Sequence, residues 1–466
     1  MHDSTLSEPG KPQRAGSRPG APITRPRPLP VSGNPRGARG RFATWIFGLG
    51  LALYILVSAP LLTVFGIPYD APSGNFLFKL HPATYLVGLA FFIASCRRGN
   101  PLGSILRLAI AQRGMTVYLI AICCVLSYSV VRYGPSGSAF IIETFVMPGV
   151  CVLMMQMLDD RSQCRFFYLI IGLVVLNALI GLAESIAQTR LVSYTVAGGI
   201  ELKEDVFRST ALLGHPLTNA LITGPLLVAV LALRLKPVFR LTVVGVLLLG
   251  LLSFGGRTSF LATLLLVTLY LGALALGRLL RGGYGYLQII GGLITPFFII
   301  AILIGAVLAT GVGERIFTHL VWDNSASVRL HIWDVFDFLR VDDVVFGLSP
   351  TDISRLAYRL KMGKNVETIE NFWLVMLLQL GVVAFLPFVF GMFSAIRFIW
   401  QRSAMPARLS IILFLVVASS NNSLSVKTCT LTVLFTAWIG AAAHSRLSGA
   451  HASGIKRRAP AGRAPP

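Results

Sequence analysis

The sequence predicts an all-α polytopic membrane protein of about twelve transmembrane helices, with both termini cytoplasmic and one large loop on the outer face between spans nine and ten. Three observations carry that expectation. The 466 residues are 55% hydrophobic and only 13% charged, with a mean hydropathy of +0.73. Apolar runs of about 17 to 25 residues recur, the length a helix needs to cross a ~30 Å hydrocarbon core. Such a chain must satisfy its own backbone polar groups in lipid, and the short alternating segments of a β-barrel are missing.

Residues 1–41 are rich in Pro, Gly, Ser and Arg and are expected to form a disordered, basic cytoplasmic tail that stays attached. A transmembrane domain follows over 42–446, and a second disordered basic tail occupies 447–466. Spans are expected at about 42–66, 80–96, 114–131, 139–158, 165–188, 212–233, 238–254, 258–277, 287–311, 371–396, 409–425 and 428–444. This arrangement puts 27 of the 41 Lys/Arg on the cytoplasmic side and 15 of the 19 Asp/Glu on or near the outer face. The basic bias fixes orientation and accounts for the net charge of +22, so nucleic acid is not an expected partner. The acidic bias points to a working site on the outer face. The six cysteines lie in or beside apolar runs without metal spacing, and no internal repeat is visible.

Four polar stations lie on that face. The first, Val206 to Asn219, carries Arg208 and then Gly214-His215-Pro216 at a helix start, where free backbone N–H groups favour an anion; a snorkelling arginine beside a capped helix explains it equally. The second is the turn Ser253 to Ser259, where Arg257 follows two glycines, so that backbone and guanidinium approach a ligand together, or where it is simply a turn arginine. The third is the long polar loop, 312–370. An amphipathic helix is expected from Ser325, with Val328, Ile332, Val335, Phe336 and Leu339 on one face; Arg329, His331 and Trp333 either meet a headgroup or anchor the helix at the interface. Residues 351–367 read as a basic lid or a solvated face. The fourth is Glu370-Asn371, a carboxylate at the start of span ten that is either a proton acceptor or a helix-terminal acid. Glu143 and Glu184 lie in the outer halves of spans, where acids are functional candidates by default, though one helix-to-helix pair would explain both. The run Ser419 to Ser423 lines a polar cavity or marks a helix end.

These pieces, in this order, resemble the O-antigen ligase and O-antigen/exopolysaccharide polymerase superfamily. The match rests on Arg208 with Gly214-His215-Pro216, Arg257, Arg329 with Trp333, and Glu370-Asn371 leading to Leu377-Leu378-Gln379-Leu380-Gly381. It covers about residues 165–400. The resemblance implies an inverting, metal-independent transfer of glycan from an undecaprenyl-diphosphate carrier at the periplasmic face of the bacterial inner membrane. No cofactor is implied; the partners are the lipid-linked glycan, the bilayer and a chain-length regulator protein. Carried over by position, Arg208 and Arg257 bind the diphosphate and Glu370 activates the acceptor hydroxyl. His215, Arg329, His331 and Asn371 contact substrate. Glu370 stands where the family usually carries histidine. A carboxylate can accept the same proton, His215 or His331 can share the role, and the departure favours polymerase over ligase. The residues also permit a lipid-linked oligosaccharide flippase or transporter, or a scaffold of an envelope-assembly complex. The one-sided placement of polar residues argues against a transporter, whose site belongs near the midplane among broken helices.

Overall fold

The computed structural model describes residues 38–71, 74–96, 99–192, 195–196, 200–201, 207–233, 235–281, 301, 305, 332–364 and 369–457. Apart from 301 and 305, the expected ninth span lies outside the described residues, and so do Arg329 and His331.

The described chain is a membrane-embedded helical protein. Four helical runs are long and apolar enough to cross a bilayer: Arg113–Gln156, Asp160–Ala187, Arg257–Leu279 and Phe372–Arg402. The helices are α1 (Ala38–Leu56), α2 (Ala59–Val64), α3 (Pro82–Ser95), α4 (Pro101–Ala111), α5 (Arg113–Ile141), α6 (Met147–Gln156), α7 (Asp160–Ala187), α8 (Pro216–Val230), α9 (Pro237–Ser253) and α10 (Arg257–Leu279). Beyond the long loop's first half come α11 (Val341–Phe346), α12 (Pro350–Lys364), α13 (Phe372–Arg402), α14 (Met405–Ala418) and α15 (Thr430–Arg457). Strands β1 (Thr195–Val196) and β2 (Ile200–Glu201) pair antiparallel, Thr195 opposite Glu201.

In the core, α5 packs along α13, α1 against α3, α7 against α15 and α8 against α14. Three of these helices are tied by one polar relay. The fully buried Trp438 donates from Nε1 to Ser410 Oγ at 2.8 Å, and that hydroxyl donates to Pro225 O at 2.6 Å. The opposite extreme is α10, which leaves Leu261, Leu265, Leu269 and Leu276 exposed in one stripe. An apolar stripe of that length facing outward suits lipid.

Three interruptions shape the end of the bundle that carries the polar stations. The expected first span stops early, at Leu56. Pro60 has no N–H to give to the Leu56 carbonyl, so the helical ladder ends and α2 begins. The second interruption lies in α5 at Gly134 (φ 79°, ψ 170°), followed by Pro135. The chain doubles back there: Tyr118 Oη donates to Phe145 O at 2.5 Å, and Ser138 Oγ donates to Ser129 Oγ at 3.0 Å. The two arms correspond to the expected third and fourth spans. A π-helical turn, Ile142–Val146, opens the returning arm.

The third interruption changes the expected tenth span. Within α13, Gly381 is non-helical (φ 63°, ψ 170°). The rings of Phe372 and Phe388 are 6.0 Å apart, and both lie against Phe145, at 6.2 and 5.0 Å. On a straight helix sixteen residues would separate them by about 24 Å. Residues 372–380 therefore form a short arm folded back on a long arm, 382–402. An arm of that length is too short to cross a bilayer. Its two faces enter two different cores. Phe372, Met376 and Leu380, four residues apart, join the main core. Leu374, Val375 and Leu378 join a smaller cluster with Ile332, Val335, Leu356, Leu360 and Ile369.

The described part of the long loop is therefore folded onto the short arm. Residues 332–338 form a 3-10 turn, where an α-helix was expected, and the segment expected as a basic lid is largely the helix α12. At the fold-back, Leu348 N donates to Leu378 O at 2.7 Å and Tyr133 Oη donates to Gln379 O at 2.7 Å. Gly347 (φ 79°) and Gly381 meet backbone to backbone, and a side chain on either would run into the other's main chain.

Candidate functional site

The Arg208 segment owes its shape to two polar residues of α7. Glu184, in the last turn, accepts through Oε2 from Ser209 Oγ (2.6 Å), Thr210 N (3.1 Å) and Ala211 N (2.9 Å), and through Oε1 from Leu191 N (2.7 Å). Asn177 Oδ1 accepts from Leu212 N at 2.9 Å, and its amide donates to Asn219 Oδ1 at 2.7 Å. Asn219 in turn donates to Thr210 O (2.7 Å) and His215 O (3.0 Å). These bonds hold Ala211 at φ 39° and Gly214 at φ 72°, a left-handed region that costs a non-glycine residue roughly 1–2 kcal/mol. Glu184 is thus a brace for the segment that follows Arg208. Glu143 and Glu184 do not pair with each other: Glu143 has a separate set of partners.

The same segment is stitched to the second station. Ser209 N donates to Ser253 O at 3.1 Å, and Ser259 Oγ donates to Ala220 O at 2.8 Å. Arg208 and Arg257, both half-buried, therefore stand on adjoining segments at one end of the bundle. His215 caps α8, its Nδ1 accepting from Leu217 N at 3.2 Å. That acceptance leaves the proton of a neutral ring on Nε2. In this state His215 presents a hydrogen-bond donor at Nε2. Gly214 packs against Ser58 and Pro60, where α1 gives way to α2.

The fourth station reaches this end through the Ser419–Ser423 run. Phe372 N donates to Asn421 O at 2.9 Å, and Trp373 Nε1 donates to Ser419 Oγ at 3.0 Å. Asn371 Oδ1 caps the short arm, accepting from Leu374 N at 3.1 Å, so that oxygen holds the helix start. Glu370, half-buried, precedes it at the base of the fold-back arm, not at the top of a straight span. Trp333 is exposed and stacks on Phe336 at 6.3 Å.

A cavity of about 450 Å³ opens between these segments. His215 and Thr218 line it from α8, and Asn422 and Ser423 from the run that holds the short arm. Of the remaining wall the sequence singled out only Glu143, as an acid in the outer half of a span. The π turn presents Glu143, which accepts from Tyr69 Oη, from His81 N and, at 3.3 Å, from Thr84 Oγ1. The next residue, Thr144, donates to Val426 O at 2.9 Å and accepts from Thr428 N at 3.1 Å. One extra residue per turn thus serves two loops at once. His81 repeats the His-Pro start of α8: Nδ1 accepts from Ala83 N at 3.1 Å, and Nε2 meets Val57 O at 2.8 Å, the carbonyl freed where α1 ends.

Lys427 completes the wall. Its ammonium donates to Tyr69 O, lies 4.2 Å from the Tyr69 ring centre and is 3.9 Å from Asp70 Oδ1. Burial pushes the Lys427 ammonium below its ordinary range, opposed by Asp70 and then Glu143. The surrounding wall partly desolvates the otherwise exposed Asp70 carboxylate and raises it, opposed by Lys427 and Lys79. Lys427 sits alone between two apolar spans, a signal that a charge tally records without weighting. Among the described residues no three His, Cys, Asp or Glu side chains group to hold a metal ion. Comparison with protein-family models and with curated proteins gives no match for this chain.

Proposed function

We propose that the protein is a polysaccharide polymerase, joining undecaprenyl-diphosphate-linked repeat units at the periplasmic face of the bacterial inner membrane. The carrying observation is the convergence of the segments bearing Arg208, Arg257, His215 and Glu370 on one end of the bundle, with the long loop folded onto the arm that Glu370 begins. The finer topology belongs to the same proposal: twelve spans, cytoplasmic tails at 1–41 and 447–466, and a periplasmic loop at 312–370.

In this reading the acceptor sugar hydroxyl gives its proton to the Glu370 carboxylate. The oxygen attacks the anomeric carbon of the lipid-linked chain from the face opposite the diphosphate. The new C–O bond forms as the bond to the diphosphate breaks, inverting the centre. The negative charge that develops on the leaving diphosphate is met by Arg208 and Arg257, in surroundings where water screens poorly. His215, donating from Nε2, would hold a substrate oxygen.

The test is the glycan made by cells carrying Arg208→Ala, Arg257→Ala or Glu370→Gln. Single repeat units without long chains, from protein that still inserts, are expected. Normal chain length in all three variants overturns the reading. Full-length polymer stranded on its lipid carrier identifies a ligase instead, and repeat units held on the cytoplasmic leaflet identify a flippase.

A further inference from the structure

Lys427, Asp70 and Ser423 have no part in the chemistry proposed above, yet they line the cavity beside it. We propose that this cavity is a subsite for one neutral sugar ring, the acceptor residue of the incoming repeat unit; the inference rests on the polysaccharide reading and adds the charge class of the sugar.

The cavity, at about 450 Å³, falls within the ordinary range of small-molecule sites. Its polar lining is mixed in sign. Glu143 and Asp70 stand against Lys427, with Lys79 close enough to act on both Asp70 and Lys427. An anion entering here meets two carboxylates, and a cation meets the Lys427 ammonium with the buried charge of Lys79 behind it. A hydroxyl can do what neither ion can, donating to Asp70 while accepting from Lys427. Asp70 and Lys427 are 3.9 Å apart, the span over which one hydroxyl or two vicinal ones bridge them. The Asp70 side chain is 57% exposed, so its carboxylate is open to a ligand.

Ser423 supplies an independent pointer. It is 3% exposed and lines the cavity, and its Oγ has no hydrogen-bond partner among the described residues. Buried hydroxyls are nearly always satisfied, and a ligand hydroxyl in the cavity would satisfy this one. Tyr54 and Tyr69 back the same wall, packed against His81 and Lys427. Asn422 belongs both to this wall and to the run whose Asn421 carbonyl holds the short arm. A sugar seated here lies beside the segment that begins at Glu370.

The test is saturation-transfer NMR on the full-length protein in lipid nanodiscs, with the neutral methyl glucoside, galactoside and mannoside and the anionic methyl glucuronoside as probes. Transfer to the ring protons of at least one neutral hexoside is expected, with affinity about tenfold weaker in Asp70→Asn and Lys427→Met, the scale of one charge-assisted hydrogen bond. Ser423→Ala removes an unpartnered hydroxyl without adding bulk, so it keeps the fold and should weaken the same signal. Three results overturn the proposal: no transfer to any neutral hexoside, transfer that all three variants leave unchanged, or transfer to the glucuronoside alone. Binding is read here without turnover. Normal polymer from the Arg208, Arg257 and Glu370 variants would therefore end the polymerase reading and leave the hexoside result standing, while an absent hexoside signal beside shortened chains ends only this inference.

Discussion

The molecule turns a helix back on itself at two glycines of nearly the same backbone geometry, Gly134 (φ 79°, ψ 170°) and Gly381 (φ 63°, ψ 170°). At Gly134 both arms are long, and a side chain would meet nothing within 4 Å. At Gly381 one arm is short, and a side chain would run into the main chain of Val345, Phe346 and Gly347. The first turn reverses the chain between two long apolar arms. The second lowers a short apolar arm into the bundle and packs the described part of the long loop against that arm, which begins just after Glu370. The same local conformation thus serves connection in one place and the site in the other. What separates them is the partner packed against the turn.

The largest effect that can break this comparison is geometric. Spin labels at Trp373 and Val389, on an otherwise cysteine-free chain, should lie far closer than the ~24 Å that a continuous helix imposes over sixteen residues; a distribution centred near that value would abolish the short arm. Next, Gly381→Ala should destabilise the protein by at least ~3 kcal/mol, since it adds a backbone collision to left-handed strain. The loss would be read as a fall in thermal unfolding temperature and in folded yield from detergent. Phe372→Ala should cost a comparable ~3–5 kcal/mol by emptying a fully buried ring site. The smallest effect belongs to Gly134→Ala, where backbone strain alone acts and roughly 1–3 kcal/mol is expected. Equal losses at the two glycines would show that packing does not distinguish the turns.

Much of this was legible in the sequence wherever a signal is local. Run length and composition marked the helices, and Gly134-Pro135 interrupted two apolar runs where the structure turns. The His215-Pro216 start and the polar stations were visible as residue types. The fold-back at Gly381 was not, because a glycine inside an apolar run is common in membrane helices and only its meeting with Gly347 reveals its use. Glu143 and Glu184 looked alike as acids in apolar spans. Their roles differ through partners distant in sequence: Glu184 folds the segment after Arg208, whereas Glu143 ties Tyr69 and His81 to a cavity wall. The cavity itself is assembled from six stretches of chain, so no single stretch announces it.

The bond from Phe372 N to Asn421 O also carries a consequence for biogenesis. The short arm leaves the ribosome before the residue that secures it, and it is too brief to be retained in the bilayer as a crossing of its own. Until α14 has been inserted and the run that follows it has emerged, the arm lacks that anchor. The proposed centre is accordingly completed late in synthesis, and a nascent chain arrested before Ser419 would carry both arginines in place with Glu370 not yet seated.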